Sequence, residues 1–444
     1  MGKKNFDVEK FISQILKYRN KSGELLNRNT SGELIYADLD DIVPFLLFFK
    51  KDEFVRQQIM LSKKYLIRGL YPLKGLKYIY SWRMDEYVGG VAGYLENNKD
   101  LEVQKIFNEQ KDFLTFLFKR NYFPGYFNEK YFSNLIYPRG YNVVETVLDS
   151  SVFDEEIKFL AIKQLKNFII TNEYFAKEGL FSSKNFARKN KLVAKESNLF
   201  HKKFGLFKSS STYFVLPQPF NFILRMVVQM FPFSRVQFMK DNSNLIFAII
   251  EAYKHTKDVF FKNVLDKWID SVLRKMYSPD GFIYTYYENG KPYKVSLADN
   301  YAFLDILCDY YHFVEKNETY LNVAKSLADY WLGEKLDSGL IAFFPGADYS
   351  QLDSQTDFSI SLRRVYELTG EEKYKIEGEN IYKNILAKHL TKKGLVLLVY
   401  GDGTVKDSMV SVKFNLLFLK AHILFGLKNE VYKDSNMCDL MKDR

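Results

Sequence analysis

The sequence predicts an all-α fold: a ring of six or seven α-helical hairpins, with short strands or hairpins in the loops. Two observations predict it. A unit of about 50 to 60 residues recurs along the chain, a period that marks arrays and toroids. Within each unit, apolar residues return at helical spacing, as in the stripe Phe260, Val264, Trp268 and Val272. Composition agrees, because 47% hydrophobic residues in a chain of 444 can fill a large core.

Each unit reads as a first helix, a partner helix and a closing Gly-apolar step. One copy starts at Asp241-Asn242-Ser243-Asn244, continues in a partner helix over 259–276 and closes at Gly281-Phe282-Ile283. The next runs from Ala298-Asp299-Asn300-Tyr301 through a partner over 318–331 to Gly339-Leu340-Ile341. A third runs from Ser354-Gln355-Thr356-Asp357, turns at Thr369-Gly370, and closes at Gly394-Leu395-Val396. Weaker copies begin near Asp38, Asp85 and Asn142, with partners over 52–67, 101–119 and 154–170. Their closing steps fall at Gly75-Leu76, Gly125-Tyr126 and Gly179-Leu180. Residues 6–18 and 406–427 read as unpaired terminal helices that pair with each other and close the ring. The hairpins bury their faces only by stacking on neighbours, so 1–444 is expected as a single domain. First helices are apolar throughout and suit an inner layer. Partner helices carry charge on one face and suit an outer layer.

One stretch breaks the period. Residues 181–240 form an insertion with a basic run (Lys184, Arg188, Lys189, Lys191), a Ser209-Ser210-Ser211 linker and an aromatic, proline-containing end. Such an insertion reads either as a lid or as a cover over one end of the ring.

Several classes are excluded on the residues. The chain has 2 cysteines far apart, so no disulfide framework or cysteine zinc site is expected. The start, Met1-Gly2-Lys3-Lys4, leads into no apolar signal region, and prolines and Arg225 break the most apolar stretch. A protein without a transmembrane segment, in the cytoplasm, is the expectation. The net charge of +10 is scattered over the partner helices and no nucleic-acid motif accompanies it, so nucleic acid is not an expected partner. No metal-spaced histidines, phosphate loop or nucleophile elbow occurs, and no cofactor is expected.

The repeat style, carried most clearly by Asp357-Phe358 through Thr369-Gly370-Glu371-Glu372-Lys373-Tyr374, resembles the six-hairpin glycosidase-like and N-acylglucosamine-epimerase-like superfamilies across nearly the whole chain. That resemblance implies an (α/α)6 or (α/α)7 toroid with a central cavity at the starts of its inner helices. It also implies a carbohydrate substrate. The DxDD-like Asp38-Leu39-Asp40-Asp41 is similar to the motif of class II terpene cyclases, but the Gln-Trp repeats of that family are missing.

Acids gather where inner helices begin: Asp38, Asp40, Asp41, Asp85, Glu86, Glu145, Asp241, Asp299, Asp353 and Asp357. Singly, each reads as a cap or first-turn acid that offsets the helix dipole. As a set they fit a carboxylate-lined site, where one carboxyl protonates a glycosidic oxygen and another acts across the sugar. The expected catalytic set is Asp41 or Asp85 on one side and Asp299 or Asp357 on the other. Arg83 and Arg139 suit a substrate carboxylate. Trp82, Glu86, Asn242, Tyr301 and Gln355 complete the expected substrate-binding set. None of the five histidines begins an inner helix, which counts against the proton-transfer chemistry of the epimerases. The reading is a glycoside hydrolase acting on a uronate-containing oligo- or polysaccharide. The alternatives are a uronate C5-epimerase or polysaccharide lyase, using Tyr301, Tyr349 or Tyr87, and a non-catalytic glycan- or protein-binding toroid.

Overall fold

The structure is a computed structural model. It describes residues 6–26, 39–68, 72–73, 76–77, 79–119, 126–127, 135–136, 138–181, 185–186, 237–288 and 290–427. The chain divides into two compact units. One comprises Tyr36–Met276 and Thr285–Tyr293; the other comprises Met1–Ile35, Tyr277–Tyr284 and Lys294–Arg444.

The first of these holds four helical hairpins among the described residues. Helices α2 (Leu39–Phe48), α4 (Ser81–Asn97), α6 (Asn142–Asp149) and α9 (Met239–Thr256) pack side by side as an inner layer. Their partners are α3 (Asp52–Arg68), α5 (Leu101–Phe118), α7 (Glu155–Thr171) and α10 (Val259–Lys275), with the short α8 (Glu173–Glu178) following α7. The start of α2 lies very close to α4. A Cβ on Gly90 would come within 2.5 Å of the Leu39 Cβ, so only glycine permits the approach.

The second unit holds α1 (Val8–Ile15), α11 (Leu297–Asp309), α12 (Glu318–Gly333), α13 (Leu352–Thr369), α14 (Glu372–Lys388) and α15 (Val412–Phe425). Here α11, α13 and α15 form the inner layer. The terminal helices pair as the sequence predicts: the Phe11 and Phe418 rings meet at 6.2 Å; just past α1, the Tyr18 hydroxyl donates to the Lys393 carbonyl in the turn before Gly394. The last helix begins later than its hydrophobic pattern implies. Val405–Asp407 is a strand, paired with Leu398–Tyr400, and Ser411 caps α15 by accepting from the Phe414 N–H. Pairing and the cap overrode helical periodicity there.

Two devices recur along the chain. The first joins partner helices. The caps Asp100, Asp154 and Asp258 each accept from N–H groups of their own helix and pair with a base on the preceding partner helix: Arg56 at 2.5 Å, Lys111 at 2.9 Å and Lys166 at 2.5 Å. In the second unit Lys325 reaches Glu371, at the cap of α14, across 2.6 Å.

The second device fixes the closing steps. The fourth residue of each of four inner helices is an amide: Asn242, Asn300, Gln355 and Asn415. Each side-chain oxygen accepts a main-chain N–H of the step before it, from Phe181, Ile283, Ile341 and Leu395 respectively. Each side-chain nitrogen donates back to the carbonyl of that same residue. The steps themselves turn through glycines at positive φ, such as Gly281 at 99° and Gly339 at 76°. Buried main-chain groups of these turns thereby gain partners.

Among the described residues no helix is long and apolar enough to cross a membrane. Most of the 181–240 insertion lies outside the described residues; Asn185–Phe186 pairs with Leu135–Ile136.

Candidate active site

The inner helices of the second unit carry polar residues on an otherwise apolar ground. Tyr301, Asp305 and Asp309 follow one another at i, i+4 and i+8 along α11, so they share a stripe. Asp353, Asp357 and Arg364 occupy α13. Cross-helix bonds tie the two stripes together. The Tyr301 hydroxyl donates to Asp357 Oδ2 at 2.9 Å. Two turns further along α13, Arg364 pairs with Asp305 at 3.2 Å and donates to Asp309.

Asp357 is densely enclosed by protein, yet its side chain keeps some contact with solvent. Burial pushes its carboxyl up to about 7. The charge of Lys420 on α15 opposes that rise, Asp353 adds to it, the Tyr301 hydrogen bond opposes it, and Asp305 adds to it. A carboxyl in this range exchanges a proton near neutral pH, as a general acid or base requires. Tyr301 is held well above the ordinary phenol range, first by burial and then by the charges of Asp357 and Asp353. It is a hydrogen-bond donor at neutral pH.

The expected residues fare differently. Tyr301 and Asp357 come together. Asp299 is buried at the third position of α11, where it accepts from the Ser296 hydroxyl at 2.5 Å while its own N–H donates to that oxygen. This is a reciprocal cap, with a carboxylate at the position where a capping box places one. Asn242 and Gln355, expected to bind substrate, instead spend their amides on the main chain; Asn242 also accepts from the Trp268 indole at 3.0 Å. Asp41 lies in the first turn of α2. Asp85, Trp82, Arg83 and Glu86 belong to α4, and Arg139 to a 3-10 turn over Pro138–Tyr141, but their side chains lie outside the described residues. Asp38, Asp241 and the steps at Gly75 and Gly125 also fall outside the described residues or side chains. Of the other tyrosines weighed, Tyr87 is buried and donates to the Ile59 carbonyl at 3.1 Å. Tyr349 lies under Lys406.

Sequence reading overlooked Asp305, Asp309, Arg364 and Lys420. The signal was present: three polar side chains at four-residue spacing inside an inner helix contradict a purely apolar role. His389 and His422 are buried and serve packing. The Val396 carbonyl lies 2.7 Å from His389 Nδ1, and the Tyr382 hydroxyl lies 2.7 Å from His422 Nδ1. Burial pushes both imidazoles down to about 4.

No protein-family model and no curated protein sequence matches the chain. Solved structures do resemble it. A D-mannose isomerase superposes with a TM-score of 0.53 at 12% identity, covering 84% of this chain and 98% of its own. The cellobiose 2-epimerase of Spirochaeta thermophila gives 0.53 at 10% identity, covering 84% and 97%. The unsaturated glucuronyl hydrolase of Streptococcus agalactiae gives 0.52 at 11% identity, covering 97% and 100%. At such identities the likeness establishes the fold: an all-α (α/α) toroid of helical hairpins.

Proposed function

We propose that the protein is a carbohydrate-active enzyme, a glycoside hydrolase that cleaves a uronate-containing oligo- or polysaccharide with paired carboxylates. One observation carries the reading: Asp357, a carboxyl lifted to about 7 and bonded to Tyr301 on the facing inner helix. The same fold houses the glucuronyl hydrolase and the sugar epimerase named above.

In this reading Asp357 gives its proton to the glycosidic oxygen as the bond to the anomeric carbon breaks. Tyr301 then holds the new carboxylate through its hydroxyl, and the positive charge of Lys420 offsets it. The opposite face of the sugar needs a second carboxylate, to attack directly or to activate water. The sequence reading nominates Asp41 or Asp85 for it, Asp299 being only the alternative to Asp357 on its own side. Arg83 and Arg139 hold the substrate carboxylate, and Trp82 and Glu86 contact the sugar. The high pKa of Tyr301 disfavours it as the base of an epimerase or lyase, so hydrolysis is preferred.

The test is a panel of uronate-containing oligosaccharides, followed by mass spectrometry in heavy-oxygen water and, in parallel, in deuterium oxide. Hydrolysis places one water in the products and leaves every ring carbon–hydrogen bond intact. Turnover should fall as pH rises through 7. Uptake of deuterium at a ring carbon, an unsaturated product, or full turnover by Asp357→Asn would defeat the reading.

A further inference from the structure

The three-stranded sheet ahead of α13 has two unlike faces. Tyr349–Gln351 pairs with Leu398–Tyr400, which pairs in turn with Val405–Asp407. Ser350 and Val399 are fully buried on one face. The two-residue alternation puts Tyr349, Gln351, Leu398 and Tyr400 on the other, with Tyr349 directly opposite Tyr400. Lys406 reaches over both tyrosine rings, 3.8 Å from the Tyr349 centroid and 4.8 Å from that of Tyr400. Phe344, from the adjoining turn, stands edge-on to Tyr349 at 5.7 Å. Phe344 is 41% exposed and Tyr400 38% exposed.

This face is fixed beside the candidate acid. The Phe343 carbonyl accepts the N–H of Leu297, which opens the helix bearing Tyr301, and its N–H donates to the Tyr349 carbonyl, both at 3.0 Å. Gln351 immediately precedes the helix bearing Asp357, six residues and about 9 Å of helix rise away.

Charge selects the ligand. Lys406 pairs with Asp348 at 3.3 Å, and Asp402 and Asp407 lie on the same hairpin. Three acids accompany two bases, because Lys388 lies against Gly403 and its charge acts on Asp402; Lys406 is already paired with Asp348, so a carboxylated sugar is disfavoured. Tyr349 is itself held between Lys406 and the stacked Phe343 ring, so a neutral pyranose fits with its C–H face over the exposed rings of Phe344 and Tyr400 and its hydroxyls at the Asp348 carboxylate and the Gln351 amide.

We propose that the Phe344–Tyr349–Tyr400 face is a stacking subsite for a neutral sugar residue. Its place in the substrate, as a neutral neighbour of the uronate, rests on the function proposed above; sugar binding at the face does not. The test uses full-length Asp357→Asn protein and three neutral probes: cellohexaose, mannohexaose and chitohexaose. Binding is followed by saturation-transfer NMR and calorimetry, with a galacturonate hexamer as the charged comparison. At least one neutral hexamer should bind through this face, and galacturonate binding should not depend on Tyr400 or Phe344. Tyr400→Ala and Phe344→Ala should each weaken that binding about tenfold at an unchanged thermal midpoint. Both side chains are exposed, so the fold tolerates the changes; Tyr400→Leu serves if alanine disturbs the hairpin. The proposal is overturned if no neutral hexamer binds, if neither substitution weakens binding, or if the substitutions weaken galacturonate binding as much as neutral binding. Tyr400-dependent binding without any hydrolysis by the unsubstituted chain would sink the hydrolase reading and leave the subsite standing.

Discussion

Tyr301 donates to Asp357 across 2.9 Å, from the fifth residue of one inner helix to the sixth of its neighbour. Two turns on, Arg364 of the same helix answers Asp305 and Asp309. These five side chains are therefore bonded to each other across the two helices, and Asp357 keeps a proton besides.

That proton makes Asp357 costly to the fold. Its folded pKa is raised from the ordinary 3.8 to about 7, so between those values the native state binds more protons than the unfolded chain. Stability then falls as pH rises through that window, and the loss is complete above 7. Asp357→Asn should accordingly be more stable than the unsubstituted protein at pH 8 by about 4 kcal/mol, and within about 1 kcal/mol of it near pH 4. Urea titrations at the two pH values measure the difference. A variant equally stable at both would show that the carboxyl is an ordinary, solvated one. A gain in stability with lost turnover would mark a group kept for chemistry rather than for packing.

The buried imidazoles act in the opposite sense. His389 and His422 fall from 6.5 to about 4 on folding, so below 6.5 the unfolded chain takes up protons that the native state refuses. Stability from each is intact above 6.5 and is lost as pH falls toward 4. Between pH 6.5 and 5 each should cost about 2 kcal/mol. His389→Asn should flatten part of that slope while lowering stability at pH 7, because Asn cannot span to both Val396 and Ser350. An unchanged slope in chemical denaturation between pH 7 and 5 would refute the assignment.

The amide clamps predict a larger and pH-independent loss. In Asn300→Ala the Ile283 N–H and carbonyl, both buried, lose their partners together, while the Ser296 carbonyl keeps the main-chain N–H of residue 300. Leaving such groups unpaired costs about 1–3 kcal/mol. Asn415→Ala should match it at Leu395. By contrast, Lys166→Ala removes a half-exposed partner of Asp258 and should cost less than about 1 kcal/mol. If the two kinds of substitution proved equal, the clamps would be no more than surface contacts. Equilibrium unfolding of the four chains decides this.

Much of this was legible in the sequence because it repeats. Apolar spacing located the partner helices to within a few residues, and the Gly-apolar steps from Gly179 onward marked the ends of their units. Tyr301 and Asp357 were singled out because they fall near inner-helix starts. The same rule misjudged Asn242 and Gln355, since a helix start is also where main-chain groups need partners, and an amide satisfies both a donor and an acceptor. The fourth-position amide in four successive units was visible as a pattern; its clamp geometry was not, because it depends on a main-chain turn brought back from the preceding hairpin. Arg364 was hidden for a related reason. Its partners are 55 and 59 residues away, and only the packing of α11 on α13 makes them neighbours.

The last prediction concerns how closely those helices must pack. Gly90 of α4 lies against the first turn of α2, where an added Cβ would meet the Leu39 Cβ at 2.5 Å and its carbonyl carbon at 2.9 Å. The second contact is main chain, which has no rotamer to yield. In an exposed helix Gly→Ala stabilises by about 1 kcal/mol through helix propensity. Here the clash must push the start of α2 away, and overpacking of this kind costs about 1–3 kcal/mol. Gly90→Ala should therefore destabilise the protein, and it should also displace Asp40 and Asp41, which open α2. If Asp41 supplies the second carboxylate, turnover should fall in this variant more steeply than stability does, with the Asp357 limb of the pH profile unmoved. A stabilised Gly90→Ala protein would mean that α2 and α4 are not in the contact described, and with it the position of Asp41 would have to be given up.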